Sequence, residues 1–245
     1  MKPTLNSLLK DQNRNIKVFL KSLPTEKKII NRIISLYFNF HKSFNKKIPR
    51  ERIPELHLFW ITLRGFFISI ELMLQGHVSE SYSIVSTSVE AAGYVFKICK
   101  NPSKSIVWIK KKDYSYREFK SKFGEPFPRE FFKRFPELSQ LYDIYNLTRD
   151  YGIHSNLEKT IFFKKKDEKN SNEYAFKFSE LDNFPLVQSN LNYLIHANIK
   201  ILKIFKICFE DMLDKKWKSK LTHVEKTFDK HRSSIPSMLN ALGYK

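Results

Sequence analysis

HLFWITLRGFFISIELMLQ (residues 57–75) and SYSIVSTSVEAAGYVFKIC (residues 81–99) are the stretches whose reading decides the fold. Between Gly65 and Phe96 there is no Lys or Arg, in a chain that carries 44 of them in 245 residues. The charges within that run are Glu71, Glu80 and Glu90. Each stretch suffices for about five turns of α-helix. The short Gly76-His77 break makes the two helices antiparallel neighbours. In the second, Tyr82, Val85, Val89, Ala92 and Phe96 form one apolar stripe, and Ile84, Ala91, Val95 and Ile98 form another. Two apolar faces predict a central helix covered on both sides. In the first, Trp60, Arg64, Phe67 and Glu71 share a face. Unpaired buried charge is costly, so Arg64, Glu71, Glu90 and Arg149 are expected to satisfy one another in a buried network.

Upstream, residues 1–24 read as a basic N-terminal arm. Thr25 then reads as the N-cap of a helix in which Ile29, Ile33, Leu36, Phe40 and Phe44 recur at helical spacing. Downstream, Asn101-Pro102-Ser103 ends the core hairpin and opens the helix SKSIVWIKK. Residues 113–136 read as short aromatic turns lying over the core. ELSQLYDIYNLTRDYGIHSN (137–156) predicts a helix running to about Gly152, with Leu138, Leu141, Tyr142 and Tyr145 on one face. Ile161 and Phe163 alternate, as do Tyr174, Phe176 and Phe178, around a polar turn, which predicts a small β-hairpin insertion over 160–179. A long helix follows from Asp182, and residues 215–245 read as a basic C-terminal tail with a short helix around Ser237–Leu242. The expectation is one all-α domain, a multi-helix bundle around a central antiparallel helix hairpin.

The formal charge of +19 and the pI near 9.8 point to a polyanionic partner, nucleic acid or anionic lipid. The apolar fraction of 42% and 22 Phe supply a packed core, while six Gly and ten Pro argue against disorder. The two cysteines, Cys99 and Cys208, make neither a disulfide framework nor a CxxC metal site, which suits a reducing, cytoplasmic setting. Arg64 and Glu71 interrupt the apolar run at 58–74, so a buried soluble helix is expected there rather than a membrane span. No Gly-rich phosphate loop, HExxH, GxSxG or paired Cys/His cluster occurs. The Lys runs Lys110, Lys111, Lys112 and Lys164, Lys165, Lys166 are candidate phosphate contacts without sequence specificity.

Arg149-Asp150-Tyr151-Gly152-Ile153-His154, followed by Ser155-Asn156, is the stretch with the chemistry. Arg149 lies one turn beyond Tyr145, within that helix's apolar stripe. His154 sits about 140° round an unbroken helix from it. The Arg-x4-His pattern resembles the R-x(4–6)-H motif of the HEPN superfamily. Gly76, Glu80, Val85, Glu90 and Asn101-Pro102 also resemble a pattern of HEPN-like bacterial proteins, with Ser86 where an Arg is expected. The resemblance covers roughly residues 57–157. It implies an RNA-directed protein, a metal-independent endoribonuclease of a defence or toxin–antitoxin system, working without a cofactor. His154 would move the proton, Arg149 would neutralise phosphoryl charge, and Asp150 and Asn156 would orient these groups or the RNA. The resemblance further implies a homodimer through residues 138–154 that builds one composite site, and an antitoxin or regulatory partner. A non-catalytic nucleic-acid-binding module and a helical scaffold with incidental charge remain the alternative readings.

Overall fold

A computed structural model describes residues 5–124, 133, 135–152, 164–166, 174–176 and 184–241. Within these it describes every side chain except those of residues 5–9, 11, 137, 149–152, 164–166, 174–176, 184–186 and 235–241. The fold is all-α. In chain order the helices are α1 (Leu5–Ser22), α2 (Pro24–Asn39), α3 (Ile53–Gln75), α4 (Val78–Lys100), α5 (Ser103–Ile109), α6 (Tyr116–Phe123), α7 (Gln140–Gly152), α8 (Phe184–Cys208) and α9 (Lys215–Ala241). Lys164–Lys166 and Tyr174–Phe176 pair antiparallel, with Lys165 opposite Ala175. The rest of the expected 160–179 hairpin lies outside the described residues.

The hairpin of α3 and α4 follows from local chemistry. Gly76 adopts the left-handed conformation (φ 89°) that closes a helix without a Cβ penalty. The His77 amide then donates back to the Leu72 carbonyl at 2.8 Å. Ser81 Oγ donates to the Ser69 carbonyl at 2.8 Å, and Gly65 faces Ser88, a pairing order that only antiparallel helices produce. A Cβ at Gly65 would overlap Ser88 Oγ, so glycine permits the close approach here. The two-faced reading of α4 holds: Ala91 through Phe96 are six consecutive buried residues, and α4 packs against α3, α7 and α8.

Further out, an aromatic core joins four segments. Phe40 stacks on Phe59 at 4.2 Å and meets Phe205, Phe209 and Trp217 edge-on. Trp217 Nε1 donates to the Leu36 carbonyl at 2.9 Å, and Asp214 Oδ1 accepts from the Trp217 amide at 2.6 Å to start α9.

Several local expectations need correction. Residues 5–22 are helical rather than an arm, because Phe19 and the following Leu23 reach the core and anchor them. The N-cap of α2 is Leu23 and not Thr25, and the helix begins at Pro24, since the Leu23 carbonyl already accepts the Lys27 amide. The basic tail is a 27-residue helix, because Trp217, Leu221, Val224, Phe228 and His231 recur at alternating four- and three-residue steps and are all buried. On α7 the buried face is Leu141, Ile144 and Thr148, while Tyr142 is exposed. Helix α3 turns one face to solvent, and the enclosed helix is α8, where Leu194, Ile195, Ala197, Ile201, Leu202, Ile204 and Phe205 are all at 0% exposure. By length and composition Arg50–Gln75 is apolar enough to cross a membrane, with half of its most apolar stretch buried inside the protein.

Candidate nucleic-acid interface

Among the described residues the expected buried charge network does not form. Arg64 and Glu71 are exposed, and Glu71 accepts a long bond from Gln75 Nε2, at 3.4 Å, one turn along its own helix. Both lie on the face of α3 opposite Leu63, Phe66 and Ile70, which take the core side. Glu90 is half-buried and accepts the Tyr94 hydroxyl one turn along its own helix. Arg149 and Asp150 belong to α7, but their side chains, with His154 and Asn156, lie outside the described residues. Lys164, Lys165 and Lys166 form the first strand, again without described side chains.

Of the run Lys110–Lys112, Lys111 and Lys112 assemble with other groups, and Lys110 does not line the same groove. Helix α5 is seven residues long and runs into a tight turn at Lys111–Asp113, which leaves all three ammonium groups at the surface. Ser105 Oγ donates to the Glu51 carbonyl at 3.4 Å, and Trp108 meets the His57 ring edge-on at 5.5 Å. These contacts hold α5 beside the start of α3 and leave a groove of about 830 Å³ between them. Ile53 (58% exposed), His57, Trp108 and Ile109 (59% exposed) form its floor and walls, with Arg50, Lys111 and Lys112 at its rim. Lys111 also stands over the Phe119 ring at 4.9 Å, which fixes its stem. Aromatic faces between cations suit unstacked bases on a phosphate chain. Among the described residues no group of His, Cys, Asp or Glu is arranged to hold a metal ion.

The buried polar chemistry lies elsewhere. Glu26, in the first turn of α2, is 2% exposed and accepts Gln188 Nε2 at 2.7 Å and Asn192 Nδ2 at 3.3 Å. His231 Nε2 stands 2.8 Å from the same oxygen. Burial alone would raise this carboxyl, but the bonds from Gln188 and His231 outweigh it and hold it below the usual range. Beside this node, Asp143, Asn192, Tyr193, His196 and Arg232 line a cleft of about 440 Å³. Burial, helped by the cations Lys200 and Arg232, pushes His196 down to about 4, so its imidazole is neutral at pH 7. At the far end of α8, Arg52 lies over Phe209 with its guanidinium carbon 3.9 Å from the ring centre, donates to the Cys208 carbonyl at 2.6 Å and pairs with Glu55 at 3.1 Å.

Sequence reasoning missed the Glu26 node, although the signal was present. Glu26 is in step with Ile29, Ile30 and Ile33, and His231 with Phe228 and Val224, so both lie on buried stripes. No protein family, curated protein or solved structure matches the chain.

Proposed function

We propose that this chain is an RNA-directed helical protein of HEPN-like type that takes single-stranded RNA along the groove between α5 and the start of α3. The observation that supports this reading is the meeting of Trp108 and His57 with Arg50, Lys111 and Lys112 in one groove, in a protein of net charge +19. Bases stack on Trp108 while Arg50, Lys111 and Lys112 meet phosphates. The rest of the surface steers the strand by charge.

The test is the anisotropy of a labelled single-stranded RNA titrated at several salt concentrations. Each phosphate contact on a single strand contributes a slope of roughly 0.7 in log affinity against log salt. Arg50→Glu with Lys112→Glu should flatten that slope by about two contacts. Trp108→Ala should weaken binding by about 1–3 kcal/mol with the slope kept. Binding that neither change affects removes the groove from the reading.

The chemistry implied at Arg149 and His154 is metal-independent cleavage. There the 2′-hydroxyl attacks the adjacent phosphate while His154 moves a proton and Arg149 neutralises the developing charge. Cleavage in EDTA should leave 2′,3′-cyclic phosphate ends. Proton transfer of this kind is worth about 10²–10⁴-fold, and His154→Ala should lose that factor with RNA binding intact. A protein that binds RNA and never cuts it is the non-catalytic module instead.

A further inference from the structure

The solvent face of α3 carries large apolar side chains that the described residues leave open. Trp60 is 52% exposed and Phe67 36%. Phe38 of α2 lies 5.8 Å from the Phe67 ring and is 49% exposed. Arg64 and Glu71 complete the stripe and are exposed. Trp60, Arg64, Phe67 and Glu71 step by four, three and four residues, the repeat that keeps a seam turned toward a partner helix.

The charges on this seam are self-complementary. Arg64 and Glu71 are one heptad apart and opposite in sign, and Phe67 lies beside their midpoint. A two-fold axis through that midpoint sets a second α3 antiparallel to the first. The second copy's Glu71 then comes opposite Arg64, its Arg64 opposite Glu71, and the two Phe67 rings meet at the axis. An isologous interface requires a patch that complements itself in this way. A hydrocarbon surface would gain nothing from the placement of Glu71, and an anionic headgroup layer would repel it.

We propose that the Trp60–Arg64–Phe67–Glu71 face of α3, with Phe38 beside it, is the seam on which a second copy of this chain docks antiparallel. The proposal is independent of the RNA reading, and the seam lies on a different helix from the one the HEPN resemblance implies. The two Arg–Glu pairs lie along the seam between Phe67 and Trp60 and form from exposed side chains, so association weakens as salt rises.

Sedimentation equilibrium of the full chain at tens of micromolar and low salt tests it. The expected mass is twice the 29.3 kDa of one chain. Arg64→Glu alone sets like charges opposite each other at both ends, as does Glu71→Arg alone, and each should sediment as a monomer. The double variant R64E/E71R restores two opposite-charge pairs and should restore the dimer. Both side chains are exposed, so circular dichroism should show the same helix content in all four proteins. A wild type that stays monomeric overturns the proposal. So do single variants that remain dimeric, which would place the interface elsewhere, and a double variant that is not rescued. Co-sedimentation with phosphatidylserine vesicles is the remaining arm: a monomeric wild type that pellets, and a Phe67→Asp variant that does not, would assign the face to lipid and overturn the proposal.

Discussion

Arg64 and Glu71 lie in the most apolar stretch of the chain and are exposed, whereas Glu26 lies in the charged run TEKKIINRIIS and is buried. The contrast separates the polarity of a segment from the direction of a side chain. Helix α3 is apolar nearly all round, so its sequence marks no clear inner face. The inner face is chosen by small residues: Gly65, Ser69 and, across the hairpin, Ser81 and Ser88 let α3 and α4 approach, and the bulky ridge of Trp60 and Phe67 is left outside. Helix α2 is sharply amphipathic, and Glu26 falls on its inner stripe.

The largest expected effect falls on the buried side of this comparison. Glu26→Ala leaves Gln188, Asn192 and His231 without their common acceptor, and removing one member of such a node costs about 3–5 kcal/mol. For a chain of this length that lowers the melting temperature by roughly 10 °C. A change of a degree or two in differential scanning calorimetry would show that the node is solvated.

Next is the packing that set the faces of α3. Gly65→Val drives a branched side chain into Ser88, at a cost of about 1–3 kcal/mol in urea denaturation. Pairing it with Ser88→Gly should recover part of that loss. Absence of recovery would mean that the two helices do not touch there.

Acid should act in two windows. His196 is held down to about 4, so between its ordinary 6.5 and that value the unfolded chain binds a proton that the native protein refuses. Stability therefore falls as pH drops through that range. Glu26 is held below its ordinary 4.5, so its contribution, present above that value, is lost as pH falls further. His196→Gln should flatten the upper window and leave the lower one. A wild-type stability curve level from pH 6.5 to 4 would contradict the burial of His196.

The smallest effect belongs to the exposed side. Arg64→Ala and Glu71→Ala, measured on the monomer at high dilution, should each shift stability by no more than about 0.5 kcal/mol. A loss of several kcal/mol would restore the buried network.

The core hairpin was legible in the sequence because a long Lys/Arg-free run in so basic a protein marks a segment kept from water, and Gly76 marked its turn. The cations after α5 were legible as a run, but the meeting of Trp108 with His57 beside them was not, because it depends on how a seven-residue helix docks about fifty positions downstream. The terminal helices were underread for a different reason. Their Lys-rich outer faces mask the apolar stripes that hold Phe19, Trp217 and Phe228 in place. Arg149 could be put on α7 from its periodicity, while single-helix geometry could not say what it meets.

The Glu26 node also imposes an order on the chain's synthesis. Its partners arrive 162, 166 and 205 residues after it. At the usual pace of about 5–20 residues per second, His231 emerges roughly 10–40 s after Glu26. Throughout that interval the Ile29, Ile33 and Leu36 face of α2 lacks α9, and the carboxylate lacks His231. Ribosome-arrested chains ending before residue 215 should therefore be cut by protease within α2, and full-length chains should resist. Helix α2 waits for α9.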